Sequence, residues 1–537
     1  MIKKSLPLLF IFCSILFFSC NTLSSPQNVT KNLDYTDDDV RQNEINNIKK
    51  LQTQEIVKAL YRSYFLGDSA ILRDTIQIAE DQILLCIEQS DFSEASRIYK
   101  ALETLNHKST KISARQIQEL SNKDLPGSQI SENKKPKNIA ECINATVTIW
   151  VDKGLKVSNG AGYQDIVIGS GFFIDERGYL VTNYHVIESM VDSKYEGYSR
   201  LYIKLPSDPN TKIPAKVIGY DQALDLALVK TEITPPFCLS LGSSSELNLG
   251  DKISAIGTPI GLEGTLTSGI ISAVNRKLST MGSVFQIDAA VNSGNSGGPL
   301  IDQNMKVQAI VFAGMLQYQG LNFAIPVEYL KQELPVLYKG GNVLHTWIGA
   351  YGNTKRISGK DCGLEIFYVM PGGSAHFSSL KEGDVIKELN GHKIECLEDF
   401  QFALLAFEPG NLLPLKYVDS SGNEKQTVIY LDKRPVAPGV MFYNSDLINE
   451  VFVPLFGMKL TPSSTINKKL YTITKVINGS TADEMGFSEN DPVTIQKIEL
   501  DDKQKAIIAQ LYVQRKKKGF LNISMVAGAS YDSPYYF

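Results

Sequence analysis

Residues 169–185 read Gly-Ser-Gly-Phe-Phe-Ile-Asp-Glu-Arg-Gly-Tyr-Leu-Val-Thr-Asn-Tyr-His. A β-rich run from Ile166 to Ile174 leads into a glycine-marked corner, and the segment closes on His185. Two further islands accompany it. Ala223-Leu-Asp225-Leu-Ala-Leu-Val-Lys230 sets a carboxylate at the head of the run Leu226 to Lys230. Asn292-Ser-Gly-Asn-Ser296-Gly-Gly-Pro-Leu300 sets a serine among glycines. Thr146 to Val151 and Leu201 to Leu205 have the same texture. Many short strands between Gly-rich corners, over 139–340, predict a barrel or sandwich.

The three islands supply complementary chemistry. A serine hydroxyl is a poor nucleophile until an imidazole can take its proton. His185 would be that base and later the acid to the leaving amine, and Asp225 would orient the ring and stabilise the imidazolium. Glycines around Ser296 let the backbone turn sharply. The amides of Gly294 and Ser296 would then meet a developing oxyanion. Taken singly, His185 could be structural, Asp225 a cap and the Gly-Asn-Ser-Gly-Gly-Pro run a turn. Together, in the order His, Asp, Ser, they follow the chymotrypsin arrangement and not that of subtilisin or the α/β-hydrolases.

The region 139–340 resembles the HtrA (DegP-like) family of serine proteases. The resemblance rests on GSGFFIDERGYLVTNYHVIE, LDLALVK, LGDKISAIGTPIGLEGTLTSGIISAVNR (249–276), AAVNSGNSGGPL and GLNFAIP (320–326). It implies a trypsin-like, two-barrel fold and cleavage of unfolded or misfolded exported proteins. It also implies no metal or other cofactor, and assembly into trimers or larger multiples. Asn295 stands where digestive relatives carry an Asp that pairs with a freed N-terminus, so activation by propeptide removal is not expected. The family instead switches by loop ordering after peptide binding. By position, Val311, Phe312 and Ala313 are expected to line an apolar substrate pocket; the alternative is that they are core strand residues.

Segment 343–433 resembles a bacterial PDZ domain through Trp347-Ile348-Gly349 and GLEIFYVMPGGSAHFSSLKEGDVIKELNGHKI (363–394). The resemblance implies that Trp347, Ile348 and Gly349 present amides to a peptide C-terminus, which adds as a strand to a sheet edge. Segment 451–537 repeats the pattern in Leu455-Phe456-Gly457-Met458 and YTITKVINGSTADEMGFSENDPVTIQKI (471–498). There the expected Gly-Asp-Val-Ile is replaced by Asn490-Asp491-Pro492-Val493. Residues 434–450, which include most of KRPVAPGV (433–440), are expected to form a linker between the two.

At the other end, Lys3 and Lys4 precede an apolar run from Leu6 to Phe18 and then Ser19-Cys20. This is the pattern of a secretory signal, too short to cross a bilayer. Ser19-Cys20 resembles a bacterial lipobox, which implies that Cys20 carries lipid; an ordinary cleaved signal is the alternative. Residues 1–20 are thus expected to be a lipoprotein signal and 21–34 a polar tether. Residues 35–121 show apolar spacing of three and four, as at Ile45, Ile48 and Leu51, and predict a helical region. It is read as a spacer or oligomerisation element in preference to a binding module. Residues 122–138 read as a linker.

Composition bounds these readings. The chain of 537 residues carries 54 basic and 58 acidic side chains, a net charge of −4, which gives no sign of a nucleic-acid partner. Five His and seven Cys occur with no CxxC and no HExxH, so a zinc framework has no support. With Cys13 and Cys20 set aside, Cys86, Cys142, Cys238, Cys362 and Cys396 are an odd set and read mostly as small buried hydrophobes. The expected whole is multidomain: an N-terminal α-helical region, an all-β chymotrypsin-like double barrel and two α+β PDZ-like domains. The expected location is the bacterial cell envelope, lipid-anchored and facing the periplasm or exterior. The competing functional class is an envelope chaperone or peptide-binding scaffold whose triad is idle or secondary.

Overall fold

The computed structural model describes residues 35–109, 111–113, 115–116, 130–158, 160–195, 197–258, 264–276, 282–292, 294–314, 321–463, 469–515 and 521–537. The expected signal, Cys20 and the tether lie outside these residues.

The helical region comprises Asp38–Leu51, Ile56–Leu66, Ser69–Glu88 and Phe92–Thr104. Asp37, Asp68 and Asp91 start three of these helices by accepting hydrogen bonds from the first-turn amides. Ile48, Leu60, Ile83, Ile98 and Leu102, each at most 1% exposed, fill the space between them.

Two six-stranded closed barrels follow. The first uses Thr146–Ser158, Ala161–Phe173, Tyr179–Thr182, Arg200–Leu205, Asp208–Asp221 and Leu226–Thr231, closed by pairing of the last two. The second uses Lys252–Gly257, Thr265–Arg276, Val284–Ile287, Pro299–Ile301, Val307–Gly314 and Asn322–Pro326. One apolar cluster joins them: Val181, Leu226 and Leu228 of the first barrel pack with Ile256, Ile301 and Ile310 of the second. This shared core fixes the two barrels against each other, so groups on their facing corners can be held in register.

The helix Val327–Lys339 then returns across the first barrel. It leads to a five-strand path, Ala350–Ile357, Lys360–Val369, Val385–Leu389, Leu412–Val418 and Glu424–Tyr430, with helices Ser374–Phe377 and Leu397–Leu404. This is the first PDZ-like module. The second is an antiparallel sheet of Met458–Pro462, Leu470–Val476, Pro492–Asp501, Ala506–Arg515 and Leu521–Ser530. Residues 434–450, expected as a linker, instead carry the helix Pro438–Ser445 and the start of Ile448–Phe456. The prolines misled: Pro at a first helical position lacks only an amide that would have gone unbonded anyway.

The two modules differ at the groove. In the first, the helix Leu397–Leu404 lies between Val385–Leu389 and Leu412–Val418. At the equivalent place in the second, Pro492–Asp501 connects to Ala506–Arg515 through the turn 502–505 alone. The second sheet thus lacks the helix that forms one wall of the first module's groove.

The helical region packs directly on the first module. Tyr61 stacks on Tyr430 at 5.8 Å, and its hydroxyl donates to the Ser374 carbonyl. Lys58 pairs with Asp432 at 2.8 Å. Phe377, Leu412 and Val428 of the module complete the helical region's own core. The region expected as a spacer therefore has a docking face inside the same chain. The five cysteines are all free thiols; Cys86, Cys142 and Cys238 are buried and Cys362 and Cys396 half-buried.

Candidate active site

His185 occupies the second position of the short helix Tyr184–Val191, directly after the first-barrel strand Tyr179–Thr182. Asp225 lies just before the strand Leu226–Thr231, which pairs with Tyr179–Thr182. That pairing brings the carboxylate to the helix N-terminus. Asp225 Oδ2 accepts from His185 Nδ1 at 2.8 Å, and Oδ1 accepts from the His185 backbone N–H at 2.8 Å. The carboxylate thus serves as a distant cap for a helix whose own Asn183 makes no side-chain cap bond. Asn183, fully buried, donates instead through Nδ2 to the Asp225 carbonyl at 2.8 Å.

The His185 side chain is 46% exposed and that of Asp225 22%. Burial favours neutral imidazole. The Asp225 hydrogen bond, the Asp225 charge and the Glu188 charge together outweigh it and hold the His185 pKa above its ordinary value.

Ser296 sits before Pro299–Ile301 of the second barrel, on a loop pinned from both barrels. The Ser170 N–H donates to the Ser296 carbonyl at 2.7 Å, and Ser170 Oγ donates to the Gly294 carbonyl at 2.6 Å. The Gly297 N–H donates to Val311 O at 2.8 Å, and the Val311 N–H donates to Gly298 O at 3.0 Å. Gly297 has φ 84°, and a Cβ there would lie 2.2 Å from the Ser170 carbonyl oxygen, so only glycine fits. Among the described residues, neither the Gly294 nor the Ser296 N–H makes a backbone hydrogen bond. Ser296 Oγ donates to the Phe312 carbonyl at 3.2 Å and makes no hydrogen bond to His185 in this arrangement. Such bonds are often long or unmade before substrate arrives.

The expected pocket residues divide. Val311 is fully buried in the core of the second barrel, with its backbone holding the Ser296 loop, in keeping with the core-strand alternative. A register shift between Val311 and Ala313 presents the Phe312 carbonyl to Ser296. Phe312 itself is half-buried; the Ala313 side chain lies outside what is described. In the first PDZ-like module, Trp347 is buried and paired with Asp432, the Ile348 side chain enters the core, and Gly349 has φ 78°. Sequence reasoning passed over Ser170, Thr182 and Asn183, although all three stand inside the first quoted island. Thr182 Oγ1 donates to the Ser170 carbonyl at 2.7 Å and so braces the same junction.

A group outside this site could hold a cation: Asp221, Glu333 and His345, whose ligand atoms lie within 4.8 Å of one another. His345 Nε2 lies 2.9 Å from Asp221 Oδ1. Burial, with the Asp221 charge, raises the Glu333 pKa well above the usual carboxyl value, and the His345–Asp221 contact joins the barrel to the following module.

Comparison with known proteins agrees with this geometry. Residues 169–310 match the trypsin-like peptidase domain, 439–531 the TP0546 family PDZ domain, and 39–123 a domain of unknown function (DUF8517). A probable periplasmic serine endoprotease DegP-like of Bartonella henselae is 35% identical over 314 residues, 56% of this chain and 60% of that protein. A protein of the same description from Chlamydia trachomatis is 32% identical over 290 residues, 52% of this chain and 56% of that one. Serine protease PepD of Mycobacterium tuberculosis is 33% identical over 288 residues, 49% of this chain and 61% of that one. The matches thus span 56–61% of the length of these relatives. Among solved structures, the HtrA-type protease AlgW with tripeptide aligns at TM-score 0.46 and 24% identity, over 56% of this chain and 98% of that one. The fold and site define a trypsin-like peptidase domain followed by PDZ modules. Over that part the chain is similar to DegP-like serine endoproteases.

Proposed function

We propose that the protein is an HtrA-like serine endopeptidase of the bacterial cell envelope that cleaves unfolded or misfolded exported proteins. Ser296 attacks the scissile carbonyl, His185 takes its proton and returns it to the leaving amine, and Asp225 holds the imidazole tautomer. The amides of Gly294 and Ser296 receive the oxyanion. The observation that carries this reading is the two-point clasp of Asp225 on His185, through ring and backbone, opposite a serine loop fastened to both barrels. A fluorophosphonate probe, whose phosphorus captures an activated serine with loss of fluoride, is expected to label Ser296 in the intact protein and not in His185→Ala. Labelling elsewhere, or equal labelling of that variant, contradicts the assignment.

The first PDZ module would receive peptide C-termini. A periplasmic or exterior-facing location, with Cys20 as the lipidated anchor, follows the signal-like N-terminus and the description of the relatives as periplasmic. Cys20→Ala is expected to move the protein from membrane to soluble envelope fractions; retention with acyl label rejects the anchor. Assembly into trimers or larger multiples is part of the same likeness.

One observation favours the competing reading of a chaperone or scaffold with an idle triad: the Ser296 hydroxyl rests on the Phe312 carbonyl. Under the peptidase reading that bond is a resting state, exchanged for His185 when substrate fills the site.

A further inference from the structure

The peptide groove of the first PDZ module runs between the strand Ala350–Ile357 and the helix Leu397–Leu404. Residues 535–537 of the same chain lie in it. The Ala350 N–H donates to Phe537 O at 2.8 Å, the Phe537 N–H donates to Ala350 O at 3.0 Å, and the Gly352 N–H donates to Tyr535 O at 3.2 Å. This is antiparallel strand addition in a two-residue register, with Tyr351 bridged to Tyr536. Side-chain alternation then sends Phe537 into the groove. Its ring is 1% exposed and meets Phe400 edge-on at 5.3 Å, among Ile348, Leu397 and Leu404. From the helix, Gln401 Nε2 donates to the Pro534 carbonyl at 2.7 Å.

The intervening Tyr536 points the other way. It is 2% exposed between the two modules, where it packs on Phe442 at 5.0 Å and donates its hydroxyl to the Pro454 carbonyl at 3.2 Å. Arg434, with a side chain 10% exposed, donates to Tyr536 O at 2.6 Å and pairs with Asp532 at 2.6 Å. The Ala350 N–H and carbonyl and the Gly352 N–H, by which an arriving peptide would pair, are therefore already in use, and so is the aromatic pocket.

We propose that residues 535–537 are a built-in ligand of the first PDZ module. A peptide that enters the groove must displace them, and in doing so it frees Tyr536 from the contact between the two modules. The occupant it competes with fixes the chemistry it needs: an extended chain carrying a large aromatic side chain at the Phe537 position and another aromatic two residues before it. Because the internal segment is tethered only five residues beyond the strand Leu521–Ser530, its effective concentration at the groove is of millimolar order. Weak peptides are excluded and tight ones admitted. This inference rests on the reading of the first module as a peptide binder.

The test uses a fluorescent peptide Ser-Pro-Tyr-Tyr-Phe and follows anisotropy with the full chain, with a chain lacking 535–537 and with Phe537→Ala. Both variants are expected to bind at least about tenfold more tightly than the intact protein. Hydrogen exchange on the unaltered protein removes any concern over folding. Saturating peptide is expected to expose the Phe537 N–H while the Ala350 and Gly352 N–H groups stay protected. Equal affinity of all three chains, or a Phe537 N–H that stays protected at saturation, overturns the proposal. Absence of binding by every chain also overturns it, and with casein cleavage intact leaves the peptidase reading standing.

Discussion

At Asp225 the backbone enters the left-handed region, with φ 57°. Asp tolerates this better than most residues, yet the conformation costs on the order of 1–3 kcal/mol. The structure sustains it with the Asn183 amide on the Asp225 carbonyl and with two bonds from His185 to the carboxylate. The consequence is electrostatic. A carboxylate so placed favours the imidazolium more than burial disfavours it, and the His185 pKa rises. Catalysis as a base needs the neutral ring, so activity falls as pH drops through that raised value. The acid limb of kcat/KM is expected to have its midpoint above the ordinary 6.5. Asp225→Asn removes the charge and leaves burial in command, so its midpoint moves down while the rate falls on the order of 10⁴-fold. A wild-type midpoint below 6.5, or one unmoved in the variant, contradicts this account of the pair.

Among elements, the strand Val307–Gly314 shows what a sequence discloses and what it hides. Its β character was legible, since a core strand was one of the two readings of Val311, Phe312 and Ala313. Which of the two readings held for Val311 was not, because a register shift near Phe312 breaks the simple alternation on which such readings depend. The residues that brace the triad were hidden for another reason. Ser170 and Thr182 act through single hydrogen bonds to distant carbonyls, and sequence carries no signal for a partner that only tertiary folding supplies. The helix Pro438–Ser445 was concealed by the prolines of KRPVAPGV, although Pro438 begins it. In the second PDZ module, Asn490-Asp491-Pro492-Val493 was read as a departure in one strand. The larger departure is the missing groove helix, where the four-residue turn 502–505 stands. Division of labour between the modules follows: the first keeps a groove, and the second supplies residues 535–537 that fill it.

Across the whole molecule, two contacts tie the barrels to the first PDZ module and a third ties the helical region to it. Asp221, Glu333 and His345 join the first barrel to the first module. Lys339 reaches from the helix after the second barrel to Glu408 of that module. The helical region, expected as a spacer or oligomerisation element, buries Tyr61 against Ser374 and Tyr430 of the same module. A burial of this kind is worth about 3–5 kcal/mol to the docked arrangement by comparison with aromatic-to-alanine changes elsewhere. The first module is thus the hub on which the helical region, the barrels and the second module converge. All of this serves one central claim, that Ser296 cleaves unfolded protein. The most direct test is turnover of unfolded casein by the full chain and by Ser296→Ala, with binding of casein measured alongside. The claim predicts that cleavage falls at least about 10⁴-fold in the variant while binding persists. Cleavage by the variant at the wild-type rate would contradict it.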